Sequence, residues 1–376
     1  MSASIESKNN VYLAVAGAGK TTKILKDVLA KRLTRRVVIV TYTNKAVASI
    51  VEKFQEHNFG IIPSKVDVFT WYSFLYNECV LPYQKLLFTK IEIRGMIFEG
   101  MYRNTNKIPK TNSLRYTNKD GVLKANYASE FVVGCIGKGK NIIKRLAEIY
   151  EEIIIDEIQD MVGYDLEFLE EIMSYNDIKL TLVGDSRQAT FSTNSLNKNK
   201  KFKGRNTIDY FKFLEKANKI KLVEMNECHR SNQDICTFAD FMFPNLTKAT
   251  SLMTNVTGHD GVFLIKKENA DAYIRWLDDQ DMKWQGLRYD KKTKSIYPAQ
   301  NFGECKGMTF DRVVIFSNKP LEKYLETFSI ESPSKYYVGL TRARYSVAII
   351  VDKFPIRDCY QEEILDKISV MKFILK

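Results

Sequence analysis

Five short β-branched runs, alternating with turn signals and helical patterns, fill the first half of this chain. They are "VYLAVA" (11–16), "RVVIVTY" (36–42), "KVDVFT" (65–70), "EEIIIDE" (151–157) and "IKLTLVGD" (178–185). A continuous apolar strand is buried on both faces only when helices cover it, so the alternation specifies a parallel sheet between helical layers. The rhythm restarts with "KIKLVEMN" (219–226), "GVFLIKK" (261–267), "WQGLRYDKK" (284–292), "DRVVIFS" (311–317) and "YSVAIIVD" (345–352). Between these lie the helical patterns "DICTFADFMF", "ADAYIRWLDD" and "LEKYLETF". No repeat is visible, yet the chain holds two α/β halves.

With 376 residues, two cores are expected. Residues 1–75 and 149–204 read as the two parts of a first domain, 76–148 as an inserted basic subdomain rich in Tyr, Asn and Lys, and 205–376 as a second domain. A further basic run, "NKNKKFKGR" (197–205), reads as an exposed linker. Hydrophobic residues at 45% and charged residues at 27% are those of a soluble globular chain. No apolar run reaches the roughly 18 residues of a membrane span. The polar start "MSASIESKNN" has no signal-peptide core, so a cytoplasmic protein is expected. Six scattered cysteines without a CxxC pair, and three histidines, argue against a structural zinc site. A net charge of +12 favours an acidic polymer as partner, although a merely basic soluble protein has the same balance.

The glycine-rich turn after the first strand carries the first chemistry. In "AVAGAGKTTKIL" (14–25), the backbone of Ala16, Gly17, Ala18 and Gly19 can converge its N–H groups on phosphate at a helix N-terminus. Lys20 would neutralise β- and γ-phosphates, Thr21 would ligate magnesium, and Thr22 completes the loop. A ligand-free glycine turn is the competing reading. "GCIGKGKN" (134–141) has similar spacing, but Asn141 replaces the hydroxyl residue that a metal needs, and it reads as a surface turn. "IIIDEIQD" (153–160) supplies Asp156 to hold magnesium through water and Glu157 to polarise an attacking water. Gln188, in "LVGDSRQATF" (182–191), stands where a γ-phosphate could be sensed.

"KYYVGLTRARYSVAIIV" (335–351) sets Arg342 and Arg344 at the start of an apolar strand. A cation in such a setting needs an anionic partner. Glu322, Glu326 and Glu331 lie close in sequence; the phosphate turn is the alternative.

Taken in order, "AGAGKTT", "TYTNKA", "TWYSF", "IDEIQD", "VGDSRQATF", "ECHRS", "ECKGMTFDRVVIF" and "YVGLTRAR" resemble the motifs of superfamily 1 helicases of the UvrD/Rep type. The match runs roughly from residue 11 to residue 350. The resemblance implies two RecA-like domains with ATP and magnesium bound between them, and Arg230 and Arg342 as arginine fingers. An arginine finger contributes on the order of 10³ to 10⁵ in rate. It further implies single-stranded DNA contacts from Thr43, Asn44, Thr70, Trp71 and Phe191, and from Lys306 in the motif linking nucleotide to strand. Arg344 falls outside the motif and reads as a structural salt bridge.

The chain departs from the family pattern in several places. Thr193 stands at the second aromatic position after the stacking residue, and His229 where a tyrosine would stack on adenine. Thr309 replaces the glutamate of a Lys-Gly-Leu-Glu-Phe motif, leaving Glu304 and Gly307 as nucleotide-site candidates nearby. No adenine-reading glutamine precedes the phosphate turn. The stretch from Arg230 to Lys306 leaves no room for the large second-domain insertion of UvrD-type enzymes, which puts strand separation in doubt but not translocation. The resemblance therefore implies an ATP-driven motor on single-stranded DNA, with 3′ to 5′ polarity. The alternative is a regulatory ATPase subunit, like small UvrD-like chains paired with a nuclease in phage defence. An RNA helicase and a small-molecule kinase fit the motifs less well.

Overall fold

The computed structural model describes residues 8–98, 107–139, 141–194, 196 and 198–374. The first seven residues, part of the insertion (99–106), Lys140 of the rejected glycine turn and Asn197 of the basic run lie outside the described residues. The chain divides into two compact units. The first takes residues up to Leu13, Lys20–Ser186 and Phe191–Glu224; the second takes Ala14–Gly19, Arg187–Thr190 and Met225–Lys376.

In the first unit the elements run β1 (Asn10–Ala14), α1 (Lys20–Leu29), β2 (Arg36–Thr41), α2 (Asn44–His57), β3 (Val66–Thr70) and α3 (Trp71–Phe74). The insertion follows with β4 (Gly95–Ile97), β5 (Val122–Lys124), α4 (Ala128–Ile136) and α5 (Asn141–Ile149). Then come β6 (Tyr150–Ile155), α6 (Tyr164–Met173), β7 (Lys179–Gly184), α7 (Thr207–Lys216) and β8 (Lys221–Met225). The sheet order is β3-β2-β6-β7-β1-β8. Its inner strands β2, β6 and β7 are buried on both faces, and in β2 Val37, Val38, Ile39 and Val40 are each 0% exposed. Each such side chain contributes roughly 1.5–3 kcal/mol of burial. This is the parallel sheet that the β-branched runs specify.

The second unit contains β9 (Glu227–Cys228), α8 (Gln233–Asp240), β10 (Thr250–Ser251), β11 (Gly261–Lys266), α9 (Ala270–Asp279), β12 (Trp284–Arg288), β13 (Gln300–Asn301) and β14 (Phe310–Phe316). It ends with α10 (Lys319–Thr327), α11 (Pro333–Leu340), β15 (Ala343–Val351), β16 (Tyr360–Leu365) and β17 (Ile368–Phe373). Its sheet runs β13-β12-β14-β15-β11-β17-β16. β11, β12, β14 and β15 pair in parallel, whereas β17 pairs antiparallel with both β11 and β16.

Two features differ from the sequence reading. "KIKLVEMN" was expected to open the second half, but β8 joins the edge of the first sheet beside β1, and α7 belongs to the first unit with it. Periodicity identifies a strand without saying which sheet takes its hydrogen bonds. The hairpin β16–β17 was not expected. Glu362 and Glu363 on β16 interrupt its apolar pattern because an edge strand needs only one buried face.

The insertion is anchored by a buried carboxylate. Glu130 on α4 is 2% exposed and pairs with Arg115 at 3.0 Å and Lys110 at 3.5 Å. Some of its basic excess is thus spent internally.

Candidate functional site

The phosphate turn lies in the second unit. Ala14 ends β1, and the amide of Val15 donates to Met225 O at 2.9 Å. Gly17 and Gly19 have φ of 78° and 71°, a region that other residues enter only with strain. A Cβ on Gly17 would also stand 2.8 Å from both Arg230 Cβ and Cys228 Sγ. The turn is held from outside: the His229 amide donates to Gly17 O at 3.0 Å, and the Ala16 amide donates to the Tyr337 hydroxyl at 3.3 Å. Its residues therefore need glycine both for the turn and for the close approach of β9.

Arg230 and Arg342 share this unit with the turn. Arg342 is 2% exposed. Its Nε donates to Val338 O at 2.9 Å, Nη1 to Met308 O at 3.3 Å and Nη2 to Gln188 Oε1 at 3.1 Å. Arg230 Nη1 donates to Thr341 O at 3.0 Å, and burial together with the Arg342 cation brings its pKa down to about 9. Two of the acids near in sequence are occupied elsewhere: Glu322 accepts from Ser317 Oγ at 2.7 Å and Glu326 pairs with Lys353 at 3.4 Å. Carbonyls and the amide oxygen of Gln188 therefore accept from Arg342. Arg344 pairs with Asp311 at 3.2 Å, as a structural salt bridge does.

His229 is exposed, its ring 3.7 Å from where a Gly19 Cβ would stand. Glu304, Lys306 and Gly307 lie in the turn before β14. Glu304 is exposed and spends its carboxylate on Asn301, accepting from Nδ2 at 2.8 Å and from the backbone amide at 3.2 Å. These bonds lower its pKa and make it the cap of its own turn. Lys306 is half-buried, and Gly307 takes φ of 85°.

The first unit carries the carboxylates. Lys20 opens α1, with Thr21 and Thr22 in its first turn, all half-buried. Asp156 follows β6 and is 9% exposed; its Oδ1 accepts from the Glu157 amide at 2.9 Å. Glu157 is held left-handed at φ 59°, ψ 40°, a strain of about 1–3 kcal/mol for a non-glycine residue. Gln159 links the ends of two strands: its Nε2 donates to Glu157 Oε2, and its Oε1 accepts from the Asp185 amide at 3.0 Å. Gly184 makes this possible, because a Cβ there would stand 2.4 Å from Gln159 Oε1. The Thr21 hydroxyl and the Asp156 carboxylate are hard oxygen donors. Such a pair suits magnesium, which takes its remaining ligands from phosphate and water.

Of the expected strand contacts, Phe191 is open and Trp71 is not. Phe191 is 54% exposed and leans on Tyr42, with ring centroids 4.9 Å apart. Thr43 caps α2, accepting from the Ala46 amide at 3.1 Å; it and Asn44 are exposed. Thr70 caps α3, accepting from the Ser73 amide at 3.1 Å. Trp71 is 1% exposed, packs on Phe74 and Phe168, and donates Nε1–H to Asp165 Oδ1 at 3.2 Å. Its expected role as a strand contact is therefore corrected: the indole is part of the core. Motif position alone did not reveal Tyr42, Tyr72, Tyr337 or Asp165. Tyr42 and Tyr72 sit inside "TYTNKA" and "TWYSF" and were legible there as aromatics; Asp165 gave no signal.

The parallel sheets between helices and the glycine turn between β1 and α1 define a P-loop α/β protein with two units. A family model described as an AAA domain matches residues 1–194, and one described as a viral superfamily 1 RNA helicase core domain matches residues 140–351. The chain belongs to the superfamily 1 helicases. No curated protein matches it. Among solved structures it is similar to the Arterivirus nonstructural protein 10 helicase in complex with DNA, at 13% identity and a TM-score of 0.46 over 92% of this chain and 61% of that one. A second structure of that helicase matches at 14% identity and a TM-score of 0.46, over 92% and 60%. The chain thus spans about three fifths of the length of these helicases. Among the described residues, no helix is long and apolar enough to cross a membrane.

Proposed function

We propose that this chain is an ATP-driven translocase on single-stranded DNA, of the UvrD/Rep type, moving 3′ to 5′. The observation that carries the reading is Arg230, packed against Gly17 of the turn Ala14–Gly19 in the second unit, with the Arg342 cation next to it. Two neighbouring guanidiniums repel each other, and a polyphosphate at that turn relieves both. Lys20 neutralises the bound phosphates, and Glu157 polarises the attacking water. Gln188, held by Arg342, orients that water at the γ-phosphate. Thr21 and Asp156 would hold magnesium, which supplies charge neutralisation at the phosphates. The strand rests on Phe191 and Tyr42, with its phosphates at the N-terminus of α2. Gln188 and Phe191 lie three residues apart in the sequence.

A second reading is a regulatory ATPase that licenses a nuclease partner in phage defence. Thr193 favours it, since this hydroxyl replaces a stacking ring. The stretch from Arg230 to Lys306 is filled by α8, β10, β11, α9, β12 and β13, which favours translocation over strand separation under either reading.

Steady-state ATPase rates without polymer, with single-stranded DNA, with duplex DNA and with single-stranded RNA separate these readings. Stimulation by single-stranded DNA alone supports the translocase. A high rate indifferent to all three supports the regulatory subunit. Stimulation by RNA alone moves the substrate to RNA.

A further inference from the structure

One buried carboxylate ties the loop that follows Gln188 to the rest of the first unit. Asp165 on α6 is 1% exposed. Trp71 Nε1 of α3 and Ser129 Oγ of α4 donate to its Oδ1, the first at 3.2 Å. Thr193 Oγ1, Asn194 Nδ2 at 3.2 Å and the Val162 amide at 3.4 Å donate to its Oδ2. Burial raises the pKa of this carboxyl and the donors oppose that rise, so the network is what makes a charge at this depth tolerable. Removing one donor would leave part of the charge uncompensated.

Thr193 carries this anchor outward. Its carbonyl accepts from the Tyr72 hydroxyl. Tyr72 meets Phe98 of the insertion edge-on at 5.0 Å and lies 5.9 Å from Tyr42, which in turn lies 4.9 Å from Phe191. The two ends of this series, Phe98 and Phe191, are 64% and 54% exposed, while the tyrosines between them are half-buried. The two open phenylalanines, joined through the tyrosines, leave ring surface available to an aromatic ligand.

We infer that Asp165 is the positioning residue of a base-stacking row, Phe191–Tyr42–Tyr72–Phe98, in which Phe98 adds an outer ring from the insertion and the ligand is the bases of a single strand. The inference rests on the strand-binding function proposed above and deepens it. Thr193 turns inward to Asp165, and Phe98 leaves an exposed ring at the far end of the row. The row takes any sequence, because every base has a face to stack.

The test is the affinity for fluorescein-labelled oligo(dT), about 16 nucleotides long to cover one site, read by anisotropy, with thermal melting of each variant alongside. Phe98→Ala and Phe191→Ala should each weaken binding roughly 5- to 150-fold, the worth of one stacked base. Phe98→Tyr should restore it. Thr193→Val, which removes the hydroxyl's ties to Asp165 and to the Val162 amide, should weaken binding at least about fivefold, while Thr193→Ser keeps it within about twofold. Phe98 is exposed, so its truncation stays readable even if Thr193→Val melts early. Unchanged affinity in Phe98→Ala or in a stably folded Thr193→Val, with Phe191→Ala still weakened, overturns the row and leaves strand binding standing. Unchanged affinity in Phe191→Ala overturns strand binding itself, and the row with it.

Discussion

The two units carry different kinds of candidate groups, each held by a different means. In the first, the groups proposed to act stand at the ends of parallel strands: Asp156 and Glu157 after β6, with Lys20 opening the helix after β1. In the second, they are two arginines held by backbone carbonyls, Arg230 beside Gly17 of the glycine turn and Arg342 next to Arg230. A carboxylate needs only a place where a strand ends and solvent can enter. A buried guanidinium needs acceptors to orient it, and α11 and the turn before β14 supply them as Val338 O and Met308 O. The first unit is therefore the one whose chemistry follows from strand ends, and the second the one whose chemistry depends on packing.

The largest effects test that division. Lys20→Ala and Glu157→Gln should abolish ATP turnover; measurable turnover in either would remove the first unit's role. Arg342→Ala should retain nucleotide binding while kcat falls on the order of 10³-fold or more. Loss of binding together with kcat would show that Arg342 supports the fold of the second unit instead.

Smaller effects compare neighbouring residues of like type. Trp71→Ala should cost about 3–5 kcal/mol of stability by opening a core cavity, read by denaturant unfolding, whereas Phe191→Ala should leave the melt unchanged. Equal melts for the two would reverse the assignment of Trp71 to the core. Arg344→Ala, which breaks a half-exposed pair with Asp311, should cost under about 1 kcal/mol, in contrast to Arg342→Ala.

The second unit also has a pH dependence of its own. His259 is 3% exposed, bonds the Tyr273 hydroxyl at 2.7 Å and stacks on Phe263, and burial brings its pKa down to about 4. The unfolded chain takes up a proton below about pH 6.5 that the folded unit resists. Stability contributed by this site is complete above that value, declines as pH falls, and levels off near pH 4, for a total of about 3 kcal/mol. His259→Phe should flatten that segment of the stability–pH curve. An unchanged slope would mean that the imidazole protonates without penalty.

The sheet strands and the phosphate turn were legible because each is written locally. β-Branched runs such as "RVVIVT" cannot be solvated, and Gly17 and Gly19 are required by their own φ angles. The sheet membership of β8 was not legible, since an edge strand reads the same wherever it pairs. Trp71 and Phe191 were indistinguishable as motif aromatics; which was buried depended on Asp165, from a different helix, offering an acceptor to the indole.

The sequence by itself determined the class of protein, because periodicity, glycine placement and strand-end carboxylates act over a few residues. Tertiary structure alone decided which cations face which acceptors and which rings stay open. Those outcomes depend on contacts between residues far apart in the chain, such as Arg342 with Gln188 and Thr193 with Asp165. No local pattern encodes such contacts, because the cost of burying each group is settled only by the partner that the fold brings to it.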